Sequence, residues 1–142
     1  MKNIDRVRKI IAEALYIDEG EVTPEASLVK DLGAESIDFL DIVFRLEREF
    51  SIKVPKGILE QRARGGLSDE EFAVDGRLTS QAIANLRNVM PESLARITTG
   101  LTIRDIPALF TATTFARLVD EQLFGVAPDA ATGTAREATK NV

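Results

Sequence analysis

The sequence predicts an all-α fold. Apolar residues recur at three- and four-residue steps in four separate stretches, and residue types that start or stop helices bound those stretches. No run of alternating apolar and polar residues competes with that pattern. The chain has 142 residues, 44% hydrophobic and 29% charged, the composition of one soluble globular domain rather than two.

The first stretch places Ile4, Val7, Ile10, Ile11, Ala14 and Leu15 on one helical face and Asp5, Arg6, Arg8, Lys9 and Glu13 on the other. It ends near Gly20, and Glu21 to Lys30 reads as a loop with a turn at Thr23-Pro24. A second helix starts at Ser36. Gly33 breaks the preceding Asp31-Leu32, serine is a favoured N-cap type, and Asp38 sits in the first turn, where the helix dipole favours an acid. Eight large apolar residues follow in fourteen positions: Ile37, Phe39, Leu40, Ile42, Val43, Phe44, Leu46 and Phe50. One stripe cannot hide so many, so part of this helix faces something other than its own core. Ser51 to Pro55 is an extended exit, because Pro55 disfavours helix at Val54.

From Lys56 to about Gly100 the pattern changes. Arg62-Ala63-Arg64-Gly65-Gly66 reads as a flexible break. Ser68-Asp69-Glu70-Glu71 fits a capping box opening a short helix with Phe72 inward. Thr79 or Ser80 caps a helix carrying Ile83, Leu86, Val89 and Met90, which Pro91 stops. Thr102 to Phe110 offers another short helical turn, with Asp105 where a capping box usually has Glu or Gln. The last helix runs from about Thr113 to Phe124, burying Phe115, Leu118, Val119 and Leu123 and stopping at Gly125. Val126 to Val142 lacks periodicity and is expected to be a disordered tail.

Composition excludes several functions. Cysteine and histidine are absent, so the chain has no thiol nucleophile, imidazole base or soft metal ligand. Catalytic triads and zinc sites are ruled out, and a reactive group would have to arrive as a prosthetic attachment. With 18 basic against 23 acidic residues, net −5, nucleic acid and anionic membrane are not expected as main partners. No targeting signal is expected at the start, and no stretch approaches the ~18 apolar residues of a spanning helix. The charge is uneven. Asp31 to Phe50 holds six acids (Asp31, Glu35, Asp38, Asp41, Glu47, Glu49) and two bases (Arg45, Arg48), whereas Lys56 to Thr111 holds seven of each. An acidic rim beside surplus apolar residues suits docking to basic partners.

Asp31-Leu32-Gly33-Ala34-Glu35-Ser36-Ile37-Asp38 resembles the phosphopantetheine attachment motif of acyl carrier proteins. The likeness extends to a first helix near residues 3–16, to Glu47-Arg48-Glu49-Phe50-Ser51-Ile52-Lys53-Val54-Pro55 at the end of the second helix, and to Thr113–Leu123 as the last helix. It implies a four-helix acyl-carrier-like bundle and a non-enzymatic protein holding acyl groups as thioesters on 4'-phosphopantetheine. Ser36 would carry the arm, Asp31, Gly33 and Asp38 would complete the motif, and Gly33 would allow a tight approach. Glu35, Ile37, Leu40, Asp41, Phe44 and Glu47 would meet partners: a phosphopantetheinyl transferase, acyl-carrier synthetase or synthase enzymes, and acyltransferases. Arg45 and Arg48 depart from an otherwise acidic second helix.

The resemblance covers about residues 1–55 and 100–125 and leaves a helical insertion of about 45–50 residues, spanning roughly 56–100, unexplained. One carrier-like domain over 1–125 with a tail at 126–142 is the expected organisation. The insertion would enlarge the acyl cavity, build a partner-specific surface, or merely stabilise the bundle. Enlarged carriers resemble those serving specialised cell-envelope lipids such as lipid A. A cytoplasmic monomer is expected. Two rival readings remain: a peptidyl or aminoacyl carrier of a non-ribosomal pathway, and a helical adaptor with Ser36 unmodified.

Overall fold

Residues 2–55 and 57–125 are described by the computed structural model of the chain; the expected tail lies outside them. Helix α1 spans Lys2–Leu15 and buries Val7, Ile10, Ile11 and Ala14. That stripe packs against α2 (Ser36–Phe50) and the last helix, α6 (Ala112–Phe124). On the polar side, Arg6 donates to Glu49 of α2 at 2.6 Å and lays its guanidinium 4.3 Å from the centre of the Phe50 ring. The short helical turn expected over Thr102 to Phe110 is a 3₁₀ segment at Ile103–Leu109. Asp105 is shorter than the usual Glu yet still accepts from the Thr102 N–H at 2.9 Å and the Thr102 hydroxyl at 3.0 Å.

The insertion folds as α3 (Ile58–Arg64), α4 (Asp69–Phe72), a hairpin of β1 (Ala73–Val74) and β2 (Arg77–Leu78), α5 (Ser80–Val89) and a 3₁₀ segment at Pro91–Arg96. Ser68 caps α4 with the full reciprocal box, and Thr79 caps α5 by accepting the Ala82 N–H at 3.2 Å. Two expectations change here. Arg62 to Arg64 is not a flexible break: it completes α3, and only Gly65-Gly66 turns. Leu59 and Ala63, four residues apart, bury one face of α3, which packs on α5. The two arginines find acids of their own, Arg62 with Glu121 at 2.7 Å and Arg64 with Asp69 at 2.9 Å. The second change is the hairpin. Asp75 and Gly76 sit at φ 52 and 81, the left-handed pair that a two-residue turn requires.

Helix α6 packs chiefly on α1 and is tied to the insertion by ion pairs and hydrogen bonds. Phe115, Leu118 and Val119 are buried as expected, along with Ala112, Thr114 and Ala116; Leu123 is 40% exposed, since the packed stripe ends a turn earlier. Arg117 carries a largely buried ion network. It meets Glu92 at 3.0 Å and Glu121 at 3.4 Å and donates to the Val89 carbonyl at 2.7 Å; Glu92 also accepts the Thr114 hydroxyl at 2.7 Å. One apolar cluster joins Val7 and Ile11 of α1 to Phe72, Leu86, Met90 and Ile97 of the insertion. Each such large side chain contributes on the order of 1.5–3 kcal/mol by leaving water.

Candidate functional site

The loop before α2 is stitched to the rest of the bundle. Ser27 is fully buried, donates its hydroxyl to the Ala108 carbonyl at 2.7 Å and accepts the Lys30 N–H at 3.0 Å. Leu28 N–H donates to the Phe110 carbonyl at 3.0 Å. The Asp31 carboxylate accepts the Ser27 N–H at 2.8 Å and pairs with Arg96 of the insertion at 3.1 Å. Ala34 N–H closes back on the Leu28 carbonyl at 2.8 Å. Gly33 sits at φ 75, while a Cβ built there meets nothing within 4 Å. The left-handed backbone, not a tight approach, is what asks for glycine.

Ser36 is the first residue of α2 and is exposed. Its hydroxyl makes no hydrogen bond to any described residue. It is not the N-cap its residue type suggested. Glu35 takes that position in an extended conformation, and the Asp38 carboxylate accepts the Glu35 N–H at 2.8 Å. The division matters chemically. A capping serine ties up its oxygen on the backbone; here Asp38 does the capping and the Ser36 hydroxyl is left over. It stands at the positive end of a 15-residue helix, where a phosphodiester is well tolerated. The residues present therefore fit a phosphate-linked arm.

Along α2 the apolar surplus divides as its number demanded. Ile42 and Leu46 are completely buried and Phe50 nearly so, with Val43 half-buried. Ile37, Leu40 and Phe44 remain 70%, 55% and 64% exposed. The acids nearby are partly engaged. Asp41 accepts from Arg45 at 3.0 Å, and Glu47 accepts the Val54 N–H at 2.9 Å. Arg45 also approaches Glu13 of α1 at 4.0 Å, so it interrupts the acidic helix mainly on the side toward α1.

Between α2 and Ile103–Leu109 lies an open apolar groove of about 420 Å³. Phe39, Val43, Ile58, Ile103, Ile106 and Phe110 line it, and Leu40 and Phe44 reach its edge. Phe39, Phe110 and Phe115 cluster there with ring centres 5.4–6.1 Å apart. Ile58 and its neighbours Gly57, Leu59 and Glu60 are the insertion's contribution; the rest of the insertion packs mainly on itself, α3 against α5 above all. Neither Arg96 beside Asp31 nor Ser27 beneath the loop was legible from local pattern, since both contacts span 65 residues or more. Among the described residues, no three acids gather into a metal site and no helix is long and apolar enough to cross a membrane.

An exposed serine hydroxyl at the start of α2, beside an apolar groove, is an arrangement that suits a covalently attached prosthetic group. Residues 5–64 match the family model described as phosphopantetheine attachment site. An acyl carrier protein, AcpXL, of Rhizobium etli is 46% identical over 71 residues, 49% of this chain and 77% of that protein. The AcpXL of Rhizobium meliloti is 45% identical over 71 residues, 75% of its length and 49% of this chain. That of Mesorhizobium japonicum is 55% identical over 51 residues, 36% of this chain and 55% of that protein. The chain belongs to the acyl carrier protein family. Members are non-catalytic carriers whose prosthetic group is 4'-phosphopantetheine, and they act with a phosphopantetheinyl transferase and with acyl-handling enzymes.

Proposed function

We propose that Ser36 is the residue that carries the arm and that the apolar groove between α2 and Ile103–Leu109 shelters the acyl chain. When attached, the arm supplies the thiol on which acyl groups ride as thioesters. The chain's own residues supply the rest. Gly33 and the bonds of Ser27 and Leu28 hold the loop, Asp38 caps α2 in place of Ser36, and the positive end of α2 would favour the phosphate of the arm. Asp31, Gly33 and Asp38 complete the motif around it. Glu35, Ile37, Leu40, Asp41, Phe44 and Glu47 form the face offered to the transferase, to acyl-carrier synthetases or synthases and to acyltransferases, with apolar contacts at the centre and acids at the rim.

The free hydroxyl of Ser36 carries this reading, because nothing in the fold uses it. Residues 1–125 act as one unit in this account, a cytoplasmic monomer serving specialised cell-envelope lipid synthesis such as that of lipid A. Support for so specialised a cargo comes from Ile58, through which the insertion adds to the groove wall.

Intact mass spectrometry after incubation with coenzyme A, magnesium and a broad-specificity phosphopantetheinyl transferase tests the assignment. One added phosphopantetheine on the native protein and none on Ser36→Ala is the expected result. No addition with several transferases would favour an unmodified adaptor. Loading by amino acids but not by acyl groups would favour an aminoacyl carrier.

A further inference from the structure

The insertion ends beside the attachment loop, and it is held there firmly. Arg87 of α5 forks onto the Ile97 carbonyl at 3.3 and 3.1 Å. Glu92 is gripped by Arg117 and Thr114, and the buried Ser93 donates its hydroxyl to the Leu109 carbonyl at 2.6 Å. The segment Pro91–Arg96 is thereby fixed to α5, α6 and Ile103–Leu109 at once. From this support Arg96 reaches out with two N–H groups: Nη1 donates to the Glu25 carbonyl at 3.2 Å and Nη2 to the Asp31 carboxylate at 3.1 Å. A single guanidinium thus spans the loop from residue 25 to residue 31. The Asp31 oxygen it takes is the one that also accepts the Ser27 N–H.

We propose that Arg96 is a positioning residue for the loading of Ser36, bracing the attachment loop from the insertion and occupying the Asp31 carboxylate. The proposal rests on the reading of Ser36 as the attachment site. Its physical basis is the planar fork of arginine, which holds two acceptors in one fixed geometry; a lysine ammonium is a point charge without that fork. The insertion then has a task at the site, tying the loop that presents Ser36 to the added helices. It also means that an enzyme seeking a free acid at position 31 finds one already paired with Arg96, which narrows the set of partners.

The test uses the full chain and the variants Arg96→Gln, Arg96→Lys, Asp31→Asn, Arg96→Gln with Asp31→Asn, and Ser36→Ala. Hydrogen exchange of the amides from Val29 to Glu35 is measured beside the kcat and KM of phosphopantetheine transfer from coenzyme A. Both groups of the pair are partly exposed, so the expected loss in kcat/KM for Arg96→Gln is about two- to fivefold. Loop exchange should accelerate by a similar factor, Arg96→Lys should recover part of both, and adding Asp31→Asn to Arg96→Gln should cost little more. Native exchange and native loading in Arg96→Gln, with Ser36→Ala inert, would overturn the brace. So would slower loading with unchanged exchange and no coupling to Asp31, which would place Arg96 in contact with the transferase instead. If the native protein accepts no arm, the Ser36 reading fails, and loop exchange alone decides whether Arg96 braces the loop.

Discussion

Replacing Arg117 by alanine should release the insertion from α6. The guanidinium is 29% exposed, and the carboxylates it meets, Glu92 and Glu121, are only 10% and 9% exposed. Removing it strands two nearly buried negative charges and one carbonyl, that of Val89. Breaking a buried ion pair costs about 3–5 kcal/mol. Thr114 still serves Glu92 and Arg62 still serves Glu121 at 2.7 Å, so a loss of about 2–3 kcal/mol is the expected value. In a domain of this size that lowers Tm by roughly 6–12 °C. Urea unfolding followed by far-ultraviolet circular dichroism gives the number, with Arg104→Ala as control, since Arg104 is exposed and has no ion pair among the described residues. The control should stay within about 0.5 kcal/mol. A loss below that for Arg117→Ala would refute the claim that this network fastens the insertion.

Phe72 is fully buried under Arg64 and anchors the short helix α4, so Phe72→Ala should cost about 3–5 kcal/mol in the same urea assay. Gly33→Ala meets no steric obstacle but must hold φ 75, which costs about 1–2 kcal/mol and should slow loading of Ser36 in a transfer assay. Bonds from the backbone N–H of Thr102, and then from its hydroxyl, hold the Asp105 carboxyl below its ordinary value, with Lys30 adding a little. A depressed folded pKa means that this stabilisation is present above the unfolded value and lost as pH falls through the folded one. Thermal melts from about pH 5 down to about pH 2 should therefore decline less steeply for Asp105→Asn than for the native chain.

Local chemistry made much of this legible. Ser68 and Thr79 each cap a helix through a side-chain oxygen, and Pro91 and Gly125 stop helices where their backbone limits require, while the cap of α6 is Thr111, ahead of the expected start near Thr113. The excess of apolar residues on α2 announced that one face would remain exposed, and Ile37, Leu40 and Phe44 form it. The failures have a common cause in long-range pairing. Two arginines and two glycines in five residues looked like a break, but Leu59 and Ala63 had a partner in α5 that no local window could contain. Arg96 and Arg117 look like ordinary surface charges until the chain folds, because their partners lie 65 and 25 residues away. The hairpin had a signal, Asp75-Gly76 between Val74 and Arg77, but strands of two residues are too short for alternation to show.

Trypsin offers the most direct test of the central claim. Cleavage after Lys30 and Arg45 yields a peptide, residues 31–45, in which Ser36 is the only hydroxyl-bearing side chain. After loading from coenzyme A, fragmentation mass spectrometry of that peptide should show one phosphopantetheine, released as the hydroxyl-linked phosphodiester of Ser36. An unmodified 31–45 peptide, or the added mass on a peptide holding Ser27 or Ser51, would contradict the account.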